Sequence, residues 1–355
     1  MNGSSPVRIR VGVVGLGRLW ETRHKPSLAR LSDRFRITAV FDQVARRAEL
    51  EANQLDCAAS AGLTALISRP DVDAIYLLSP QWFGLQPIRL ACAAGKAVYC
   101  ALPLAGDLAE LESLASLVDS SRVVFVPELA RRCYPATLRL KELLRTRLGP
   151  PRLILGQSWL FGFDRYAVPG PTTQNAPAPL SIDPGSYLLD WCHFLFPTPS
   201  KSIWGERRAT LAGTSEATAI PEVTEETSDF ESFALEFEDG AAVRINYGRY
   251  HRGPWGEASR FLPPQGFQVF AERGAAWLEM PDRIQWSDAD GTHEERLPLE
   301  PTVGDVLNEQ FHRRVLGEPT DAPTIRDSLK NARAVHDLRA SQREGRKVVR
   351  EPHSA

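Results

Sequence analysis

Cysteine is scarce in this chain. The five residues Cys57, Cys92, Cys100, Cys133 and Cys192 include no C-x-x-C pair. An odd, scattered set supports neither a disulfide framework nor a zinc site, and predicts free, mostly buried thiols. Long apolar runs are also missing. No stretch approaches the roughly 18 residues of a spanning helix. The opening MNGSSPVRIRVGVVGLG lacks a signal-peptide layout, because its apolar run leads into glycines and not a cleavage site. A cytoplasmic protein is therefore expected. Nor does one sign of charge dominate: 42 Lys and Arg face 44 Asp and Glu, a net charge of -2. That balance gives no electrostatic reason to expect nucleic acid or an anionic membrane as a partner. Internal repeats are absent as well.

What is present is an ordinary globular composition, 43% hydrophobic and 24% charged over 355 residues. That length exceeds one typical domain, so two are expected, residues 1–128 and 129–355. In the first, short apolar runs alternate with amphipathic stretches. The runs are Arg8–Val14, Arg36–Phe41, Ala74–Leu78, Ala97–Cys100 and Val123–Val126, with helices such as Ala45–Gln54 and Gly106–Val118 between them. Such alternation implies a parallel sheet with helical crossovers. A helix over Ala136–Arg147, stopped by Gly149, Pro150 and Pro151, carries the chain into the second domain. There Arg152–Leu160, Phe230–Tyr247, Gly266–Phe270 and Ala275–Met280 read as strands of a large, mainly antiparallel open sheet, with a turn at Glu238-Asp239-Gly240. Helices are expected at Asp183–Phe196, Val303–Leu316 and Ile325–Glu344. Phe161–Leu180 reads as a Pro-rich, irregular loop of the length that often belongs to a site. The fold class is α/β, with a Rossmann domain followed by an α+β domain.

Gly15-Leu16-Gly17-Arg18-Leu19-Trp20 follows the first strand and opens a helix. The first glycine permits a tight turn, and the second lets backbone approach a pyrophosphate seated on the helix N-terminus. Asp42 ends the second strand, 25 residues after Gly17 (42 − 17). Its carboxylate suits the adenosine ribose and repels a 2′-phosphate, which favours NAD. Trp20 departs from the pattern, whose third position takes Gly or Ala for close helix packing. Arg46 and Arg47 have the chemistry to hold a 2′-phosphate, but read first as solvated helix residues, so NAD is favoured over NADP.

The chain resembles the glucose–fructose oxidoreductase / inositol dehydrogenase / MocA family. The resemblance rests on Val11-Gly12-Val13-Val14-Gly15-Leu16-Gly17 with His24 and Pro26, on Asp71-Val72-Asp73-Ala74-Ile75-Tyr76, on Ala94-Gly95-Lys96-Ala97-Val98-Tyr99-Cys100, on Pro103-Leu104-Ala105, and on Arg131-Arg132-Cys133-Tyr134-Pro135. It implies an NAD(P)-dependent sugar or polyol oxidoreductase whose open C-terminal sheet serves oligomerisation, here as a homodimer or homotetramer. It also implies a cofactor set of Gly15, Gly17, Arg18, Leu19, Asp42, Ser79, Pro80, Leu102 and Pro103. The departures matter equally. Where the family carries Glu-Lys-Pro, this chain has Ala101-Leu102-Pro103, and leucine offers no proton. A histidine frequent after Pro80 falls on Gly84, and the usual glycine run is Pro177-Ala178-Pro179.

Asp183-Pro184-Gly185-Ser186-Tyr187-Leu188-Leu189-Asp190 resembles the family's Asp-x-Gly-x-His-x-x-Asp, with tyrosine for histidine. Read from the residues, Asp183 and Pro184 are an N-cap and first-turn pair, and Tyr187 and Asp190 share one helix face. Two roles are compatible with that spacing. Asp183 caps and Tyr187 packs, or Tyr187 exchanges a proton with substrate, supported by Asp190 and Asp183. His193 lies off that face and reads as structural. Trp82, Phe83, Trp159 and Phe161 could line a sugar-sized cleft or simply pack. The expected activity is hydride transfer between NAD(H) and a sugar- or polyol-like substrate. The rival is a catalytically inactive relative that senses NAD or a sugar and binds a partner.

Overall fold

The computed structural model describes residues 8–104, 106–161, 184–208, 230–250 and 266–350. Asp183 and the Pro-rich segment after Phe161 lie outside the described residues, as do the side chains of Trp159 and Phe161. Two compact units emerge, Met1–Cys133 with Leu299–Ala332, and Tyr134–Pro298 with Arg333–Ala355. The first unit is thus larger than a division at 128/129 anticipates, because residues near the end of the chain return to it.

In the N-terminal unit the strands are β1 (Ile9–Val14), β2 (Phe35–Phe41), β3 (Ala58–Ala59), β4 (Ala74–Leu77), β5 (Ala97–Cys100) and β6 (Phe125–Pro127). They form one sheet in the order β3-β2-β1-β4-β5-β6, and every pairing is parallel. β4 and β5 are buried on both faces, as a helix-covered parallel sheet requires. The helices are α1 (Lys25–Arg30), α2 (Ala45–Leu55), α3 (Leu63–Ile67), α4 (Pro80–Phe83), α5 (Gln86–Ala93) and α6 (Leu108–Ser121). Asp107 starts α6 with a capping box, its side chain accepting from the Glu110 amide. One core joins Leu66, Ile88, Leu114 and Val118 to strand residues Val14, Ile75 and Val98. Another layer stacks Tyr76 on Tyr99, centroids 4.8 Å apart, with Phe311 edge-on to both. The order reverses direction between β1 and β4. Ligands of open α/β sheets bind at that switch point, outside the carboxyl ends of the strands.

The C-terminal unit opens with α7 (Pro135–Leu143), which runs on through Leu148 with wider turns and stops at Gly149, φ +77°. Then come β7 (Pro151–Phe161), α8 (Pro184–Leu195), β8 (Ser200–Arg208), β9 (Phe230–Phe237), β10 (Ala242–Tyr250), β11 (Gly266–Ala271), β12 (Gly274–Glu279), β13 (Arg283–Asp288) and β14 (Gly291–Arg296). Two helices, α9 (Val303–Val315) and α10 (Ile325–Glu344), and the short β15 (Val348–Val349) follow. α9 and the start of α10 count with the first unit. The nine strands order as β14-β13-β12-β11-β7-β10-β9-β8-β15. The sheet is antiparallel as expected, except that β7 and β10 pair in parallel at its centre. Its inner face, with Ile154, Phe233, Leu235, Val243, Ile245, Val269 and Leu278, packs on Leu140 of α7, Leu188 and Trp191 of α8, and Leu338 of α10. Each such side chain, fully buried, contributes about 1.5–3 kcal/mol. The Trp191 indole also donates to Thr137 Oγ1 at 3.0 Å, so its one polar atom is not stranded.

Four cysteines are buried and Cys57 is half-buried, and all five are free. Among the described residues no helix is long and apolar enough to cross a membrane.

Candidate dinucleotide site and the tyrosine helix

β1 delivers its chain to the sheet edge at Gly15, whose φ is +91°. The Gly15 amide donates to Phe41 O at 2.9 Å, which ties the turn to the end of β2. A Cβ at Gly15 would lie 2.5 Å from Ser79 Oγ, so only glycine fits between β1 and the loop after β4. At Gly17 a Cβ would meet nothing closer than Ser79 Oγ at 4.0 Å. The first glycine is thus needed by the protein itself. The second leaves a backbone cradle that a side chain would fill, which fits a pyrophosphate.

Asp42 follows β2 and is buried, 8% exposed. Its Oδ2 accepts from the Leu16 amide and its Oδ1 from the Val44 amide, both at 2.9 Å. The carboxylate therefore clamps the glycine turn to the start of α2. Arg47, in the first turn of α2, brings Nη1 to 3.4 Å from both carboxylate oxygens. Ser79 stands just before α4 but makes no capping bond to it, and its hydroxyl faces the glycine turn. Pro80 begins α4 and Phe83 leans on Phe41, centroids 5.8 Å apart. Trp82 is exposed. After β5, Ala101 donates its amide to Leu77 O at 2.9 Å, and Leu102 and Pro103 follow, both half-buried and joined by a cis peptide bond. Gly15, Gly17, Asp42, Ser79, Pro80, Leu102 and Pro103 thus all lie at the carboxyl edge of one sheet. Arg18 is exposed, and Leu19 is half-buried where the helical turn begins.

Trp20 is fully buried, and its indole donates to Glu51 Oε1 of α2 at 3.0 Å. Lys25 Nζ approaches the same carboxylate at 2.8 Å. The segment carrying the indole, Trp20–His24, has wide π geometry, which makes room for a bulky residue where the motif usually has a small one.

Sequence reasoning missed a charged cluster beside this edge. Glu128 directly follows β6, and its amide donates to Cys100 O at 2.8 Å. Its carboxylate pairs with Arg23 and lies 2.9 Å from His24 Nε2, while His24 Nδ1 faces Asn308 Oδ1 at 3.3 Å. Asn308 of α9 also accepts from Tyr76 and donates to Ser27 Oγ at 2.8 Å. Burial pushes the Glu128 carboxyl up, but His24 and Arg23 outweigh it and hold the group below the usual range. His24 was visible as part of the motif. An acid ending an apolar run was the signal for Glu128.

The second motif lies in the C-terminal unit. On α8, Tyr187 is half-buried and Asp190 is buried. Both lie on the helix whose residues Leu188, Trp191 and Leu195 enter the core. His193 Nε2 lies 3.0 Å from Ser200 Oγ, and its ring packs edge-on to Phe237, in line with a structural role.

Residues 9–128 match the Gfo/Idh/MocA family, described as an oxidoreductase family with an NAD-binding Rossmann fold. The chain is 25% identical over 190 residues to mouse trans-1,2-dihydrobenzene-1,2-diol dehydrogenase, covering 53% of this chain and 56% of that protein. It is 28% identical over 150 residues to the UDP-N-acetylglucosamine 3-dehydrogenase of Acidithiobacillus ferrooxidans, covering 42% of this chain and 44% of that one. The matched stretch spans about half the length of these curated relatives. An oxidoreductase structure from Thermotoga maritima superposes with a TM-score of 0.77 at 22% identity, over 96% of this chain and 98% of that one. The fold is shared along nearly the whole chain, and residues 9–128 match the Rossmann domain of the Gfo/Idh/MocA oxidoreductase family.

Proposed function

We propose that the protein is an NAD(H)-dependent oxidoreductase acting on a sugar- or polyol-like alcohol or carbonyl. The observation that carries this reading is the glycine turn clamped onto Asp42, with open backbone at Gly17. The amides of that turn and Arg18 receive the pyrophosphate, and Asp42 receives the adenosine ribose. Ser79, Pro80, Leu102 and Pro103 flank the cofactor at the sheet edge. When bound, the nicotinamide donates or accepts the hydride. Tyr187 gives or takes the proton at the substrate oxygen, supported by Asp190 and Asp183. Both curated relatives are named as dehydrogenases of ring-borne hydroxyl compounds, in keeping with a cyclic polyol or sugar.

The test is calorimetric titration with NAD(H), followed by a nicotinamide-absorbance screen across sugars and polyols. In Tyr187→Phe, NAD affinity persists while turnover falls by about 10²-fold or more. Unchanged turnover would remove Tyr187 from the chemistry. Leu102 favours a second reading, a nucleotide- or sugar-sensing protein without catalysis, because it supplies no titratable group at the sheet edge. That reading gains if wild type and Ala101→Glu/Leu102→Lys both bind NAD and neither transfers hydride.

A further inference from the structure

α9 comes from the far end of the chain and packs against the helix that leaves the glycine turn, Trp20–Arg30. The approach is close: a Cβ at Gly304 would lie 2.9 Å from Arg23 O and 3.2 Å from Ser27 Cβ. Around that crossing the contacts are polar and directional. Arg30 brings Nε to 3.1 Å and Nη2 to 2.9 Å from Asp305 Oδ1, and Nη2 also donates to Thr302 Oγ1 at 2.9 Å. Arg34 Nη1 lies 2.8 Å from Glu309 Oε1. Asn308 is fully buried, and its one side chain meets the helix at His24 and Ser27 and the sheet at Tyr76. Phe311 seats α9 on the Tyr76–Tyr99 layer. The helix is therefore held by α2 at Trp20 and Lys25, and by α9 at His24, Ser27 and Arg30.

We infer that α9 is a positioning element of the dinucleotide site, with Gly304 and Asn308 as its positioning residues: docking of α9 and binding of the dinucleotide favour one another. This rests on the dinucleotide reading above and adds to it a segment, Val303–Val315, outside the proposed cofactor set. The pyrophosphate is received by the amides that open the helix, at Gly17, Arg18 and Leu19. Donor and acceptor must meet within about 2.7–3.2 Å, so a helix that tilts or slides presents those amides poorly. His24, which faces Asn308, lies five residues past Leu19 (24 − 19), roughly 7 Å along the axis. A rigid element of that length carries a constraint from one end to the other. Glu128 extends the link. Its carboxylate pairs with Arg23 and faces His24, while its amide donates to Cys100 O, directly before Ala101 and Leu102 at the sheet edge. Coupling between two sites is reciprocal, so whatever α9 adds to dinucleotide affinity, the dinucleotide returns to the docking of α9.

The experiment pairs hydrogen–deuterium exchange of the full chain, with and without saturating NAD(H), with calorimetric titration of variants and thermal melts to confirm folding. NAD(H) slows exchange in Val303–Val315 by about threefold or more, while α6, which packs in the core around Leu66 and Ile88, changes less. Gly304→Ala keeps every polar partner and favours the helix itself, yet its Cβ pushes α9 off Arg23, so NAD(H) affinity falls by about fivefold or more. Asn308→Ala does the same; if it fails to fold, Gly304→Ala and Arg30→Ala carry the test. Arg30→Ala, at a half-exposed pair, weakens binding by about two- to fourfold. Arg10→Ala breaks a comparably exposed pair with Asp73 at the amino end of the same sheet and leaves NAD(H) affinity unchanged. A purely structural role for α9 would lower Tm in these variants without moving affinity. Unchanged exchange in α9, equal slowing in α6, or a folded Gly304→Ala that binds NAD(H) as tightly as wild type each overturns the inference, while NAD binding stands. If wild type binds no dinucleotide, the proposed function falls and the inference with it.

Discussion

At the scale of single residues, Glu128 is a buried carboxylate held by two basic partners. It is 3% exposed and faces Arg23 and His24, which hold its carboxyl below the ordinary value of 4.5. Between its lowered folded value and 4.5 the unfolded chain binds the extra proton, so stability rises with pH through that window. The contribution is complete above pH 4.5 and is lost as pH falls through the folded value. Glu128→Gln keeps the shape but leaves the two basic partners without their carboxylate. It should cost about 2–5 kcal/mol at pH 7, with the gap to wild type narrowing below about pH 4.5. Thermal melts of both proteins across pH 3–8 check this, and a pH-independent gap would count against the pairing. Little of this cluster was legible. Motif matching found His24 but not Asn308, whose partners Tyr76 and Ser27 are 232 and 281 positions away.

At the scale of elements, the glycine turn separates what the fold needs from what the ligand needs. Gly15→Ala meets both a left-handed backbone and Ser79, so it should destabilise by about 1–2 kcal/mol or more and lower Tm by several degrees. Gly17→Ala meets open space, so Tm should hold while NAD affinity falls by about tenfold or more. Melting curves with paired titrations distinguish the two, and a Gly17→Ala protein that binds NAD normally would show that no pyrophosphate approaches there. The elements themselves were largely readable. Five apolar runs gave five of the six parallel strands within about two residues, and α10 was placed to the residue. The misses have physical reasons. β3 has only two residues, and β14, Gly-Thr-His-Glu-Glu-Arg, is a polar edge strand that alternates nothing apolar. β8 was hidden because Lys201, Glu206, Arg207 and Arg208 put charges on both faces, and no apolar alternation survives.

At the scale of the whole molecule, the outer face of the nine-stranded sheet calls for a partner. Leu155, Trp204 and Phe270 are 38%, 36% and 41% exposed there, while helices cover the inner face. Trp204, Ala234, Arg244 and Leu155 lie side by side across β8, β9, β10 and β7. We propose a homodimer or homotetramer built on this face. Light scattering should give a multiple of 39.4 kDa at micromolar concentration, and Trp204→Glu should shift it toward the single-chain mass. A wild type already at 39.4 kDa would end the proposal. Two domains were readable from length and from the change of pattern after residue 128. The return of residues 299–332 to the first unit was not, because the helical periodicity of α9 says nothing about which sheet it covers. That return governs how the protein is born. On the ribosome the Rossmann sheet emerges first, yet Tyr76 and Tyr99 stay without Phe311 and Asn308 until the intervening 165 residues (134 to 298) have been made. At about 5–20 residues per second that is a wait of roughly ten to thirty seconds, during which one face of the nascent sheet is uncovered. The Rossmann unit is thus begun before the second unit and completed only after it, when residues 299–332 have been made.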